Sequence, residues 1–176
     1  SDMSIDGRHD IEALQVIGAI VAEARDTMGA HVKPGVTTAE LDAIGREILD
    51  RHGARSAPQL AYNFPGATCI SVNEEIAHGI PGDRLMEAGD VVNIDVSAEL
   101  GGYFSDTGAT IQMPPLDPKI TRLCEATRMA LDRALDAVRA ERPHCAGPSG
   151  FLAVLATGGV RANSLRSNMR GPDPRN

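Results

Sequence analysis

The sequence has no tryptophan, two tyrosines and three phenylalanines in 176 residues. A core with so few aromatics must be filled mainly by Ile, Leu, Val and Ala. The 42% hydrophobic content is enough for one soluble domain of ordinary size. Cysteine is scarce too. Cys69, Cys124 and Cys145 are an odd number without close spacing, which excludes a disulfide framework or a zinc knuckle and points to a reducing compartment. No apolar run approaches the roughly 18 residues of a membrane span. No basic stretch followed by an apolar one opens the chain, so no signal peptide is expected and the cytoplasm is the expected location. Met3 is read as the natural start, with Ser1-Asp2 left over from expression. A basic excess is also missing: the formal net charge is −7, which argues against nucleic-acid and anionic-membrane partners.

What is present centres on the run Val91-Val92-Asn93-Ile94-Asp95-Val96, an apolar strand pattern with one carboxylate inside it. A second carboxylate, Asp106, stands in Tyr103-Phe104-Ser105-Asp106-Thr107, and Gly101-Gly102 lies between the two runs. The pattern predicts a hairpin with a tight Gly-Gly turn. An acid inside a β-branched run is costly to bury unless something pairs with it. Two acids facing each other across a hairpin repel and have raised pKa values unless a cation lies between them. One or two dications are the simplest partner for the arrangement.

Around the hairpin, helical periodicity predicts a first helix over 10–30, with Ile11, Leu14, Ile17, Val21 and Met28 on its apolar positions. Thr37-Thr38-Ala39-Glu40 resembles an N-cap with an early acid and opens a second helix that runs to about residue 52, closed by Gly53. Residues 57–67 read as irregular, punctuated by Pro58, Pro65 and Gly66, and 68–72 as a short strand. Strands are expected over 91–99 and 103–113. After Asp117 as cap and Pro118, a last helix is expected over 119–141, burying Ile120, Leu123, Ala126, Ala130, Leu131, Ala134, Leu135 and Val138. Cys124 reads as core, and His9, His31 and His52 as solvated.

From Pro143 on the composition changes. Residues 144–176 hold four Arg and one Asp, no Lys and no Glu, with one apolar patch at Phe151-Leu152-Ala153-Val154-Leu155-Ala156. They read as a divergent, poorly ordered tail, with the four Arg solvated because no aromatics are interleaved. The abrupt loss of periodicity suggests an alternative or out-of-frame C-terminus. An intact reading frame across the Pro143 codon of the source gene would sink that suggestion.

Three stretches carry a resemblance: Ser71-Val72-Asn73-Glu74-Glu75-Ile76-Ala77-His78-Gly79-Ile80-Pro81, then Gly89-Asp90-Val91-Val92-Asn93-Ile94-Asp95-Val96, then Ser105-Asp106-Thr107. In this order and spacing they resemble type I methionine aminopeptidases, over residues 8–143. The resemblance implies an α+β fold of the pita-bread type, here its N-terminal half, with an antiparallel sheet covered by helices. It implies a dinuclear centre of two divalent ions (Co, Mn, Fe or Zn) held by two Asp, one His and two Glu. Asp95 and Asp106 match the two Asp, Asp95 as a chelating ligand and Asp106 as the bridge. His78 matches the histidine that positions substrate and donates to the intermediate. Phe64 and Cys69 match the pocket for the methionine side chain, where plain core is the alternative reading of both. Thr107 matches a residue that supports the metal-bound water.

The family's remaining His and both Glu ligands, one of them its general base, belong to a second half, and no Glu follows Glu141. Two carboxylates are too few to close a dinuclear site. The chain is thus expected to be a first half (1–143) followed by the tail (144–176). Its expected function is metal-dependent removal of the N-terminal methionine from nascent proteins with a small second residue, the peptide N-terminus being the substrate. The alternative is an inactive truncated half-domain or binding module, with self-association through an uncovered sheet face. A third reading, in which another chain supplies the missing ligands, ranks low because two first halves bring four Asp and no Glu or His.

Overall fold

The computed structural model describes Ile5 and residues 7–137. The last turn expected for the final helix, residues 138–141, lies outside the described residues, as do the whole tail with His144 and Cys145, and Met3. The chain divides into two compact units, Ser1–Pro115 and Leu116–Asn176.

The first unit opens with two helices, α1 (Arg8–Ala30) and α2 (Thr38–Arg51). The start of α2 follows from its sequence. The Thr37 hydroxyl accepts from Glu40 N at 3.1 Å, and the Glu40 carboxylate accepts from Thr37 N at 2.8 Å, a reciprocal capping box. These bonds hold the Glu40 carboxyl below its ordinary range. The stretch read as irregular is more ordered than expected. A two-residue strand, β1 (Arg55–Ser56), leads into a short helix, α3 (Ala57–Tyr62), capped by the Ser56 hydroxyl and ended by Asn63 in the left-handed region at φ 55°. Six residues are too few to show a helical period, so only the Ser-Ala-Pro start could have revealed it.

Three strands complete the unit: β2 (Cys69–Val72), β3 (Val91–Leu100) and β4 (Tyr103–Gln112). β3 is central. β4 pairs antiparallel along its whole length, and the opposite edge is shared end to end by β2, against residues 92–95, and β1, against Glu99 and Ala98. Gly101 and Gly102 turn the hairpin with φ values of 60° and 93°, which a two-residue turn with matching twist requires.

Alternation decides the two faces of this sheet. Val92, Ile94, Val96 and Ala98 point to the helices and are at most 0% exposed, in one core with Ile17, Val21 and Met28 of α1 and Leu41 and Leu49 of α2. Asn93, Asp95 and Ser97 point the other way, opposite Thr110, Gly108 and Asp106 of β4. The helices therefore cover one face only, and both site carboxylates stand on the other.

At the far end of β3, Glu99 accepts from Gly102 N at 2.6 Å and from Arg55 Nε at 2.8 Å. The Gly102 bond first, and the Arg55 guanidinium second, hold its carboxyl below the ordinary range. A depressed carboxyl stabilises the fold above its unfolded pKa and loses that contribution as pH falls through the folded value. The expected result is that Glu99→Gln lowers the urea midpoint at pH 7, and that the gap closes as both proteins are taken into acid. A gap that persists unchanged at pH 3 would contradict this role.

The described part of the second unit is α4 (Pro118–Ala137), capped by Asp117, whose Oδ1 accepts from Lys119 N at 2.7 Å. Its expected buried face is corrected. Ala126 and Ala130 are buried, but Leu123, Leu131 and Leu135 are 45%, 54% and 61% exposed. A periodic stripe marks which face is apolar; it does not supply a partner to cover it. The three histidines read as solvated are exposed and also find neighbours. His52 Nε2 lies 2.9 Å from Glu23, His31 Nδ1 lies 2.8 Å from Thr27 O, and His9 packs edge-on against Tyr103.

Candidate active site

The site is assembled on the face of the sheet that the helices leave open. Asp95 lies opposite Gly108, and Asp106, two residues earlier on β4, is its diagonal neighbour on the same face. The two carboxyl groups come within hydrogen-bonding reach of each other. Burial first, then the charge of Asp106 and the bond shared with it, push the Asp95 carboxyl above its ordinary range; the nearby His78 partly offsets this. This is the signature of two acids placed together without a cation.

On the other side of Asp95, Cys69 is its register partner on β2. It is 3% exposed, and burial, then the charges of Asp95, Asp106 and Asp42, push its thiol up to about 11. A thiol so placed is neutral at physiological pH and serves as a small apolar wall. Phe64 is also buried, yet neither residue belongs to the core cluster between sheet and helices.

His78 reaches the site from the 73–82 loop, whose backbone is held from both sides. Gly79 donates to the Ser71 hydroxyl at 3.0 Å and accepts from Ile70 N at 3.0 Å. The approach is so close that a Cβ on Gly79 would lie 2.1 Å from Ile70 O. At the loop's far end Thr38 Oγ1 donates to Gly82 O and accepts from Gly82 N, at 3.0 and 2.9 Å, tying the loop to the start of α2. His78 itself takes a left-handed φ of 54°, so the turn aims its ring by backbone conformation as well as by contact.

One expected role is corrected. Thr107 pairs with Val96 and so belongs to the helix face, where its hydroxyl accepts from Arg25 Nη1 at 2.6 Å. Strand alternation sends the neighbour of Asp106 to the opposite face, away from any water held by the carboxylates. Of the residues expected at the site, Cys69, His78, Asp95 and Asp106 come near enough to act on one another's charges, and Phe64 lies on the segment that leads into β2.

Sequence reasoning missed Asp42. It sits on the buried face of α2 and accepts from Thr68 N and Thr68 Oγ1, both at 2.7 Å, and from Ala67 N at 3.0 Å. These bonds fix the entry to β2, and so the position of Cys69. Nothing in Leu41-Asp42-Ala43 distinguishes it from an ordinary helix acid; its partners come from 25 and 26 residues away. Glu75, which caps β2 by accepting from Val72 N at 2.8 Å and pairs with Arg84, was equally hidden.

Among the described residues no group of three or more His, Cys, Asp and Glu is arranged to hold a metal ion. The Asp95–Asp106 pair nevertheless fits a divalent cation in part: two hard oxygen donors share one open face, and their mutual repulsion is what a dication would relieve. A model of metallopeptidase family M24 matches residues 12–156. The chain belongs to this family. Among curated M24 relatives, it is 45% identical over 139 residues to methionine aminopeptidase 2 of Bacillus subtilis, covering 78% of this chain and 56% of that protein. It is 50% identical over 131 residues to the methionine aminopeptidase of Staphylococcus epidermidis, covering 74% and 52%. The chain thus spans about half the length of the curated relatives it matches. A crystal structure of methionine aminopeptidase from Rickettsia prowazekii superposes with TM-score 0.83 at 29% identity, covering 89% of this chain and 63% of that one. A prolidase from Pyrococcus furiosus, at TM-score 0.77 and 22% identity, covering 88% and 44%, shares the fold. The α+β pita-bread fold expected from the motifs is therefore the fold this chain shares with its family.

Proposed function

We propose that this chain carries the methionine-recognising, two-carboxylate half of a methionine aminopeptidase, which removes the N-terminal methionine from nascent proteins with a small second residue. The observation that carries this reading is the meeting of Asp95, Asp106, Cys69 and His78 on one open face, in a chain so similar to methionine aminopeptidases. Asp95 and Asp106 would supply two of the ligands to a pair of divalent ions, of Co, Mn, Fe or Zn; oxygen donors do not choose among them. When bound, such ions acidify a water and polarise the scissile carbonyl. The chain's own residues receive the substrate's side chain and carbonyl. Phe64 and Cys69 receive the methionine side chain. His78 donates a hydrogen bond to the carbonyl oxygen as it gains charge. The acidic chain has no helix among its described residues long and apolar enough to cross a membrane, which suits a cytoplasmic enzyme without a nucleic-acid or membrane partner.

The test is release of methionine from the peptide Met-Ala-Ser by the purified chain, with Mn or Co, beside an Asp95→Ala control. Metal-dependent release that the control loses is the expected result. A second reading, an inactive half-domain or binding module, is favoured by the absence of a third metal ligand among the described residues. It predicts a folded chain with no release at any metal concentration. An open face bearing Phe104, 58% exposed two residues before Asp106, also favours self-association in that case.

A further inference from the structure

His78 is exposed, so core packing does not fix its ring and the backbone has to aim it. That backbone is costly to hold. A φ of 54° in a residue with a Cβ persists only where its surroundings over-determine it. The peptide unit that joins His78 to Gly79 carries the N–H that pins the turn, and this N–H donates to the Ser71 hydroxyl at 3.0 Å. The other bond at this point, from Ile70 N to Gly79 O, engages the next peptide unit and does not set the orientation of the first. Ser71 is a firm anchor. It is 3% exposed and lies in β2, paired to β3 from Cys69 to Val72. Its register partner is Asn93, as that of Cys69 is Asp95, so its side chain shares a face with the site.

We propose that Ser71 is the positioning residue of His78: its hydroxyl, presented by a paired strand on the site face, holds the His78–Gly79 peptide unit and, through it, the left-handed backbone that keeps the imidazole beside Asp95. The role rests on the function proposed above, in which His78 meets the substrate carbonyl. It adds a residue that itself touches neither substrate nor ion. Without the hydroxyl, the Gly79 N–H loses its partner in a part-buried place. Rotation of the peptide unit relieves both that loss and the strain at His78, because the residue then returns to an ordinary negative φ. The ring leaves the carboxylates as it does so, while β2 keeps its pairing to β3.

The experiment compares the full chain with its Ser71→Ala variant and with Ser71→Thr, which keeps the acceptor. Nuclear magnetic resonance reads the cross-peak between the His78 amide and its own Hα, strongest at positive φ, and the broadening of the His78 ring protons by Mn²⁺. In Ser71→Ala the cross-peak is expected to weaken, the Gly79 amide to exchange about fivefold faster, and the ring broadening to fall at equal Mn²⁺ occupancy; Ser71→Thr restores all three. The amides of β3 report the fold. If Ser71→Ala does not fold, Ser71→Cys, which keeps the volume and offers only a weak acceptor, carries the same comparison. A strong cross-peak and unchanged broadening in a folded Ser71→Ala or Ser71→Cys variant overturn the role of Ser71 and leave the proposed function standing. An unsubstituted chain whose His78 ring is not broadened by Mn²⁺ overturns the proposed function and the role of Ser71 with it.

Discussion

Replacing Gly79 by alanine is expected to destabilise the first unit by roughly 3 kcal/mol or more. The added Cβ would lie 2.1 Å from Ile70 O, 2.7 Å from Ile70 C and 2.9 Å from Ser71 Cα. All three are backbone atoms of β2, which is paired to β3 from Cys69 to Val72 and cannot yield without losing that register. Either the strand shifts or the loop leaves it. If the loop leaves, the bonds from Gly79 N to Ser71 Oγ and from Ile70 N to Gly79 O go with it, and His78 swings away from Asp95. Urea denaturation of the parent and the variant reads the loss. Gly82→Ala, at the other end of the loop, is the control: nothing lies within 4 Å of its added Cβ, so its midpoint should stay close to the parent's. Equal stability of the Gly79→Ala variant would mean that the loop is not seated on β2 as described.

The second large effect is expected at Asp42. Asp42→Ala strands the Ala67 and Thr68 amides and the Thr68 hydroxyl, in a place where Ala67 and Thr68 are at most 1% exposed. Buried donors without partners are the expensive case, and about 3 kcal/mol is the expected loss in urea denaturation. Asp42→Asn separates this from a general loss of charge. An amide oxygen in the place of Oδ1 still accepts from Ala67 N, Thr68 N and Thr68 Oγ1; the second bond of Ala67 N, to Oδ2 at 3.1 Å, and the 3.5 Å contact with Arg46 are lost. The asparagine variant should therefore lose about 1 kcal/mol. If alanine and asparagine cost the same, the hydrogen bonds are not what Asp42 contributes.

These two positions also mark the limit of what a sequence reveals. The hairpin could be read because its signals are local: alternation, a Gly-Gly turn and acids placed within an apolar run. The capping box at Thr37 and Glu40 is local in the same way. The part of the site that depends on register was only half legible. Asp95 and Asp106 follow from motif and spacing, but the assignment of Thr107 failed because adjacent strand residues point to opposite faces, a fact that a motif written as Asp-Thr does not carry. Asp42 shows the other failure. Its partners arrive from a segment 25 residues on, so the residue looks like any acid on a helix until the chain is folded. For α4 the apolar stripe was visible, but whether anything covers Leu123, Leu131 and Leu135 is a question of tertiary partners that periodicity cannot answer.

Asp95 and Asp106 together are proposed as the cation-binding element of this chain. Binding of Mn²⁺, followed by the loss of the free-ion electron paramagnetic resonance signal, tests it most directly when the unsubstituted chain is compared with the Asp95→Asn/Asp106→Asn double variant. Saturable binding by the unsubstituted chain that the double variant loses is the expected result, while the circular dichroism of the two proteins stays the same. Equal Mn²⁺ binding by both would contradict it.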